Sequence, residues 1–343
     1  MLRLHEVCAA LRASRGFAHK SDIAPVLRQL APAFAAEVAV GDDCAALPDG
    51  DGHLLFAIEG FVEDFVAQQP WFAGYCGILV NVSDIAAMGG RPLAVVDAMW
   101  SHDTNCAAAL LAGMAEAARR YGVPIVGGHS NCRARQGQLA VAIVGRAQRL
   151  LTSFDARPGD TLLMAVDLRG RWQDPYPYWD ASTQAPAERL RGDLELLPRI
   201  AEDGLCAAAK DISMAGVIGT ALMLAEASGC GATIDLGAVP RPPGVDSADD
   251  RAFLRWLAAF PSYGFLLSVA PQRVAAVQER FHGRGLACAP IGLLHEAARL
   301  ELRLGAEREL LWDLGEHAFV QAQSPCDGSV ATATAMTSGA AGR

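Results

Sequence analysis

An α/β fold with α+β character, built as two layered domains, is what this sequence predicts, and three observations predict it. At 343 residues the chain is long enough for two domains that each bury a core. Short apolar runs of strand length alternate with amphipathic runs of helix length over most of its extent. The composition is that of a globular protein, 52% hydrophobic and 20% charged with few aromatics.

The same bulk properties exclude several function classes. The formal net charge of -9 comes with no basic stripe, which argues against a nucleic-acid surface. No run of about 18 apolar residues exists to span a membrane. Nine cysteines without a C-x-x-C pair signal neither a zinc module nor a redox dithiol, and read as buried thiols in a reducing compartment. Met1-Leu2-Arg3-Leu4-His5-Glu6 lacks the apolar core of a signal peptide, so the expectation is a cytoplasmic protein.

Residues 2–12 have the apolar spacing of a short helix. Ser14 to Lys20 breaks that pattern and reads as a basic, glycine-containing loop; Asp22-Ile23 is placed to cap a helix containing Val26, Leu27 and Leu30. A loop carrying Arg15, His19 and Lys20 can fold over bound phosphates, and equally reads as a solvated surface loop. Glu37-Val38-Ala39-Val40 is strand-like and runs into the bend Gly41-Asp42-Asp43-Cys44-Ala45-Ala46-Leu47. Leu54 to Ile58 is a short buried strand followed by Glu59-Gly60. Tyr75 to Met88 reads as helix, with Gly89-Gly90 ending it and Pro92 blocking continuation. Leu93 to Met99 is strand. Asn105 to Tyr121 is an amphipathic helix with Leu110, Leu111, Met114 and Ala118 on one face and Gly122 at its end. Val123 to Val126 is a strand running into Gly127-Gly128-His129-Ser130-Asn131, and Leu139 to Val144 is another.

The chain turns at Arg157-Pro158-Gly159-Asp160, and a domain boundary is expected near 155. Thr161 to Val166 starts a new strand, and 171–192, with several Pro, Trp and Tyr, reads as an irregular insertion. Helical sequence resumes near Leu194. Lys210-Asp211-Ile212-Ser213 precedes a helix from Ala215 to Ser228, which Gly229 and Gly231 close before the strand Ala232 to Ile234. Arg251 to Ala259 is helix, Phe265 to Val269 strand, Gln272 to Phe281 helix, and Ala287 to Leu293 strand, an alternation that predicts a ferredoxin-like second domain. From Ser324 onward Ser, Thr, Ala and Gly dominate, as in disordered tails. The expected organisation is an N-terminal helical and loop segment (1–35), two domains (36–155 and 156–320), and a disordered tail (321–343).

The candidate chemistry lies in dispersed acids. Asp42-Asp43 sits behind a glycine bend, and Asn81-Val82-Ser83-Asp84-Ile85-Ala86-Ala87-Met88-Gly89 follows about forty residues on. Hard carboxylate oxygens at element ends suit Mg²⁺ bound with polyphosphate. Each motif alone has a bland reading: Gly-Asp-Asp is a common turn, Ser83-Asp84 a helix start, and Gly-Gly a tight bend.

Together, over about residues 37–295, the motifs resemble the AIR synthetase-like ATP enzymes. That superfamily includes AIR synthetase, selenophosphate synthetase, thiamine-monophosphate kinase and a hydrogenase-maturation dehydratase. Gly41 to Leu47 is similar to the family's Gly-Asp-Asp-Ala-Ala-Val, and Asn81 to Gly89 to its Asn-Leu-Ser-Asp-Ile-Ala-Ala-Met-Gly, the most specific match. Gly127-Gly128-His129-Ser130 is similar to its Gly-Gly-His-Thr, and Asp211-Ile212-Ser213 to its Asp-Ile-Ser. The resemblance implies an ATP- and Mg²⁺-dependent phosphoryl-transfer enzyme, a kinase or synthetase acting on a small-molecule acceptor. It implies Asp42, Asp43, Asp84 and Asp211 as metal ligands, with Glu59 in place of a family Asp. It implies a nucleotide site including Asp42, Asp43, Asn81, Asp84, Gly127, Gly128 and His129. Lys20, Lys210 and His129 become the candidate catalytic groups, Arg15 stands beside Lys20 as a further cation, and the first domains are expected to pair as a homodimer around a shared barrel.

The substrate side departs from each named member. Met214-Ala215-Gly216 stands where thiamine-monophosphate kinases carry an acid, and Phe260-Pro261-Ser262-Tyr263-Gly264 where they have Gly-Asp-Asp-Tyr-Glu. The glycine-rich loop with a catalytic Cys or Sec of selenophosphate synthetase is missing, and Cys8 reads as a core thiol. The expectation is a branch related to AIR synthase with its own acceptor. A divergent thiamine-monophosphate kinase or selenophosphate synthetase, or a nucleotide-binding partner subunit without turnover, are the alternatives.

Overall fold

Strands and helices alternate as expected in the computed structural model, which describes residues 3–34, 37–245 and 249–320. The chain begins with three short helices, α1 (Leu4–Arg12), α2 (Arg15–Ser21) and α3 (Ile23–Leu30), then β1 (Ala45–Asp49), β2 (Gly52–Gly60), α4 (Glu63–Gln68), α5 (Pro70–Ala87), β3 (Gly90–Trp100), α6 (Thr104–Tyr121), β4 (Ile125–Asn131) and β5 (Gln138–Ala147). These strands form one mixed sheet in the order β1-β2-β5-β3-β4, parallel only between β3 and β4. Helices α5 and α6 cover one face. The other face is open and apolar, with Phe56, Ile58 and Val96 exposed.

A second sheet follows from β6 (Thr161–Val166), β7 (Arg171–Gln173), β8 (Tyr178–Asp180), α7 (Ala187–Leu194), α8 (Leu196–Glu202), β9 (Ala208–Asp211), α9 (Gly216–Ala227), β10 (Gly231–Asp235), α10 (Asp250–Leu257), β11 (Gly264–Val269), α11 (Val274–His282), β12 (Ala287–His295), β13 (Arg299–Leu304) and β14 (Glu307–Asp313). Its order is β14-β13-β10-β12-β6-β11-β9, with β7 and β8 forming a separate hairpin. The run β12-β6-β11-β9 is antiparallel throughout, which is the ferredoxin-like core. Leu197, Ile200 and Ala201 of α8 pack with Val277 and Phe281 of α11 on one face of this sheet; α1, α9 and α10 fill the other.

Several local expectations change. Ser14 to Lys20 is not a loop: Ser14 accepts a hydrogen bond from the Phe17 amide at 3.4 Å and starts α2, while Phe17 buries against Trp312 and Phe319. Asp22 is helical and caps nothing with its side chain. Glu37 to Val40 is not a strand, because the edge of β2 is already taken by β1 through a tight hairpin. Residues 171–192 are ordered as the β7–β8 hairpin and α7, and β13 and β14, absent from the sequence reading, widen the second sheet. The expected tail from Ser324 lies outside the described residues.

Helix α5 is the central strut. All but three of its eighteen residues are buried, Pro70 opens it at a position where no amide partner is lost, and Gly89 leaves it in a left-handed turn at φ 72. Close packing on α6 depends on two glycines: a Cβ on Gly74 would meet the Leu110 carbonyl oxygen at 2.0 Å, and one on Gly113 the Trp71 carbonyl oxygen at 1.9 Å. Replacing Gly113 with Ala therefore forces the helices apart, and the urea midpoint should fall by the equivalent of about 1–3 kcal/mol; an unchanged midpoint would show that the contact is dispensable.

Candidate active site

Gly41 bends the chain at φ 116, a conformation that glycine reaches without strain, and the two acids behind it diverge. Asp42 is buried and accepts hydrogen bonds from the Ser153 amide at 2.6 Å and the Ser153 hydroxyl at 2.5 Å. It thereby ties the bend to the segment joining β5 to β6. Asp43 turns the other way, contacts the Lys210 ammonium, and accepts from the Asp211 amide at 3.2 Å.

Three acids then converge from three elements. Asp84 comes from the last turn of α5, so it does not start a helix; Asp211 ends β9, held in register opposite Phe265 of β11. Carboxylate oxygens of Asp43, Asp84 and Asp211 all lie within 4.8 Å of one another. Asp84 is 4% exposed, and its Oδ2 has no hydrogen-bond partner among the described residues. A carboxylate at a helix C-terminus also faces the negative end of the helix dipole.

The electrostatics follow from burial and crowding. Burial, then the charges of Asp211, Glu59 and Asp43, push the Asp84 carboxyl well above its ordinary pKa. Burial and Asp43 push Asp211 up to about 8, with Lys210 and Lys20 opposing. Burial also raises Glu59, which Lys20 counters. For Lys210 burial favours the neutral amine, but Asp43 and Asp42 override it and hold the ammonium above its usual range. The thiol of Cys44, beside the cluster, is raised well above its ordinary value, mainly by burial, and stays neutral. The donor set of three crowded carboxylates, one with an orphaned buried oxygen, fits a hard divalent cation such as Mg²⁺.

Asp42, Asp43, Asp84, Lys210 and Asp211 line a cavity of about 550 Å³ between the two sheets, together with Glu59, Lys20 and His19. Its remaining wall is apolar and aromatic, with Phe61, Phe65, Tyr178 and Phe260. The other sequence-derived candidates fall elsewhere. Asn81 is wholly buried inside α5, donates to the Gly77 carbonyl at 2.8 Å, and does not line the cavity. Gly127, Gly128 and His129 lie on the exposed edge strand β4, with the His129 ring 6.4 Å from that of Trp100. They are three strand spacings, about 14 Å, from the β2 strand that carries Glu59, because β5 and β3 intervene. Within one chain the fold does not bring them to the carboxylates. Arg15 lies in a neighbouring open groove, hydrogen-bonded to His19 at 3.3 Å.

Sequence reasoning missed Ser153 and the aromatic wall. Ser153 belongs to no motif, and its role exists only through a contact 111 positions away in the chain. Tyr178 sat in a stretch read as irregular; its clustering with Trp and Tyr was the available signal.

Comparison with known proteins gives the family context. Residues 41–147 match the family model described as AIR synthase related protein, N-terminal domain, and residues 168–305 match its C-terminal domain counterpart. An uncharacterized protein of Synechocystis sp. is 48% identical over 318 residues, covering 92% of this chain and 97% of that one. A thiamine-monophosphate kinase of Pyrococcus horikoshii is 35% identical over 160 residues, 44% of this chain and 50% of that protein. Among solved structures, PurL of T. maritima complexed with ADP superposes with a TM-score of 0.71 at 18% identity, covering 91% of this chain and 52% of that one. Among the described residues no helix is long and apolar enough to cross a membrane.

The raised carboxyl pKa values make a linkage prediction. Asp211 titrates near 8 in the folded chain but near 4 when unfolded, so folding favours its protonated form. That stability is full below about pH 4 and is lost as the pH rises through about 8. Without divalent cations the melting temperature should fall from pH 5 to 8.5. Added Mg²⁺ should restore at least about 2–4 °C at pH 8.5 and less at pH 5; an equal gain at both would contradict the cluster as the ion's site.

Proposed function

This chain belongs to the AIR synthase related protein family, and from that premise we propose that it is an ATP- and Mg²⁺-dependent enzyme that transfers the γ-phosphoryl group to a small-molecule acceptor. The observation that carries the reading is the Asp43, Asp84 and Asp211 cluster opening onto a cavity large enough for reacting molecules. Phosphoryl transfer asks little covalent chemistry of a protein, so positioning and charge compensation supply most of the catalysis.

Asp43, Asp84 and Asp211 would hold Mg²⁺, with Glu59 as a further oxygen donor on the same wall. When bound, the ion offsets charge on the polyphosphate and on the leaving ADP. Lys210 orients Asp43, and the Asp42–Ser153 pair fixes the bend that presents it. Lys20, carried over the cavity by α2, supplies a cation for the anionic phosphates. This is the part the N-terminal basic segment was expected to play, performed from a helix.

Homodimerisation has a physical basis in the open face of the first sheet. Phe56, Ile58 and Val96 stand exposed on it, and a second copy would cover them. Gly127, Gly128 and His129, on the strand at its edge, would then lie at the interface, which gives that motif a route to the nucleotide.

Two measurements test the proposal. Asp84→Asn should weaken Mg·ATP binding by more than about 100-fold in calorimetry while the circular dichroism spectrum is unchanged, since a metal ligand is removed and no packing is lost. Wild-type affinity in that variant would refute the metal site. ADP formation should appear with a matching acceptor in a coupled assay, and should vanish in the same variant.

A further inference from the structure

Chemistry is segregated inside the cavity. Every carboxylate and lysine that lines it belongs to the charged end: Lys210 contacts Asp43 and lies 3.7 Å from Asp42, and Lys20 offsets Asp211 and Glu59. Part of the remaining lining is an aromatic cluster. Tyr178 meets Phe65 edge-on at 4.8 Å and Phe260 edge-on at 4.7 Å, and stacks on Tyr176 at 4.8 Å.

That wall is built and braced. The β7–β8 hairpin, inserted after the first strand of the second sheet, delivers Tyr178. Gln69 donates to the Asp174 carbonyl at 2.6 Å, and Arg255 reaches both the Asp174 carboxylate at 2.7 Å and the Tyr176 carbonyl at 2.8 Å. The Trp179 amide donates to the Phe260 carbonyl at 2.8 Å, locking the hairpin to the segment that carries Phe260. A rigid aromatic surface facing a cavity is a preorganised platform for a flat or apolar ligand.

What the cavity does not offer is equally specific. Among the described residues no arginine lines it; Lys210 is paired with Asp43, and Lys20 lies at the charged end, where its charge opposes those of Glu59 and Asp211. Arg15 stands in the neighbouring groove. A phosphate ester on the acceptor would need a cationic or amide cradle of its own. The phenylalanines of the wall also leave the hydrogen-bonding edge of an adenine unread.

We propose that the aromatic wall is the acceptor subsite, and that the acceptor is a small aromatic or otherwise apolar molecule bearing one nucleophilic oxygen and no phosphate. The assignment rests on reading the carboxylate end as the Mg²⁺-ATP site, so that the acceptor's oxygen is presented toward the carboxylates while its body lies on Tyr178 and Phe260.

The test uses the full chain with 2-phenylethanol and indole-3-ethanol as probes, set against 2-phenylethyl phosphate, thiamine monophosphate and adenosine. It is read by ligand-observed NMR with Mg²⁺ and a saturating non-hydrolysable ATP analogue present, so that the phosphate position at the carboxylate end is already filled. Both alcohols should bind saturably and outcompete the phosphate esters by at least about tenfold, and adenosine should not displace them. Val62→Trp, which fills the aromatic end instead of emptying the core, should weaken both alcohols by at least about tenfold with the melting temperature preserved. No binding by either alcohol, phosphate esters binding as tightly as the alcohols, displacement by adenosine, or unchanged binding in Val62→Trp would each overturn the proposal. ATP affinity of the wild type is measured alongside. Its absence would strike the reading of the carboxylate end, whereas intact ATP binding with tighter phosphate esters would strike the acceptor class alone.

Discussion

Three carboxylates lie within 4.8 Å of one another, almost out of reach of water, and their mutual repulsion governs the architecture around them. Like charges so placed cannot all ionise unless positive charge is brought to them. The chain brings some of its own, in the Lys210 ammonium against Asp43 and in Lys20 across the cavity. Among the described residues it leaves Asp84 Oδ2 without a partner, and that remainder is the physical reason for proposing a divalent cation there. The cluster is a strained arrangement kept by packing elsewhere, as sites for chemistry tend to be.

Because its members come from the bend after Gly41, the end of α5 and the end of β9, the cluster exists only while the two sheets keep their relative position. Several contacts hold them. Ala86 and Ala87 of α5 pack into the cluster of the second sheet with α8. Arg91, at the start of β3, bridges Glu195 at 2.8 Å and Glu202 at 2.6 Å, a partly exposed pair of ion pairs whose value lies more in orientation than in stability. Ser153 fastens the Gly41 bend to the connection between the sheets. The carboxylate cluster and the domain junction are therefore one feature.

Much of the fold was legible in the sequence. The helix ending at Tyr121 was signalled by its apolar face and by Gly122, which indeed adopts φ 71. The alternation that predicted a ferredoxin-like second domain corresponds to the antiparallel run β12-β6-β11-β9. Errors clustered where a local pattern competes with a distant partner. Val38 to Val40 has strand-like residues but no free sheet edge to join, and the basic segment around Lys20 contains a glycine yet folds as a helix because Phe17 finds an aromatic pocket formed by Trp312 and Phe319.

The family was readable from residue order alone, since Gly41-Asp42-Asp43, Asn81 to Gly89 and Asp211-Ile212-Ser213 are short contiguous motifs, and the same motifs single out the acids among which the proposed metal ligands lie. Where each acid points is settled by the three-dimensional packing instead. Asp42 and Asp43 are neighbours in the chain, yet one is consumed by Ser153 and the other faces Asp84 and Asp211. It also decided that His129 stands on an outer strand and that Tyr178 faces the cavity. The reason is that direction in space is set by backbone turns and by partners a hundred or more residues away, and neither is written in the local run of residue types.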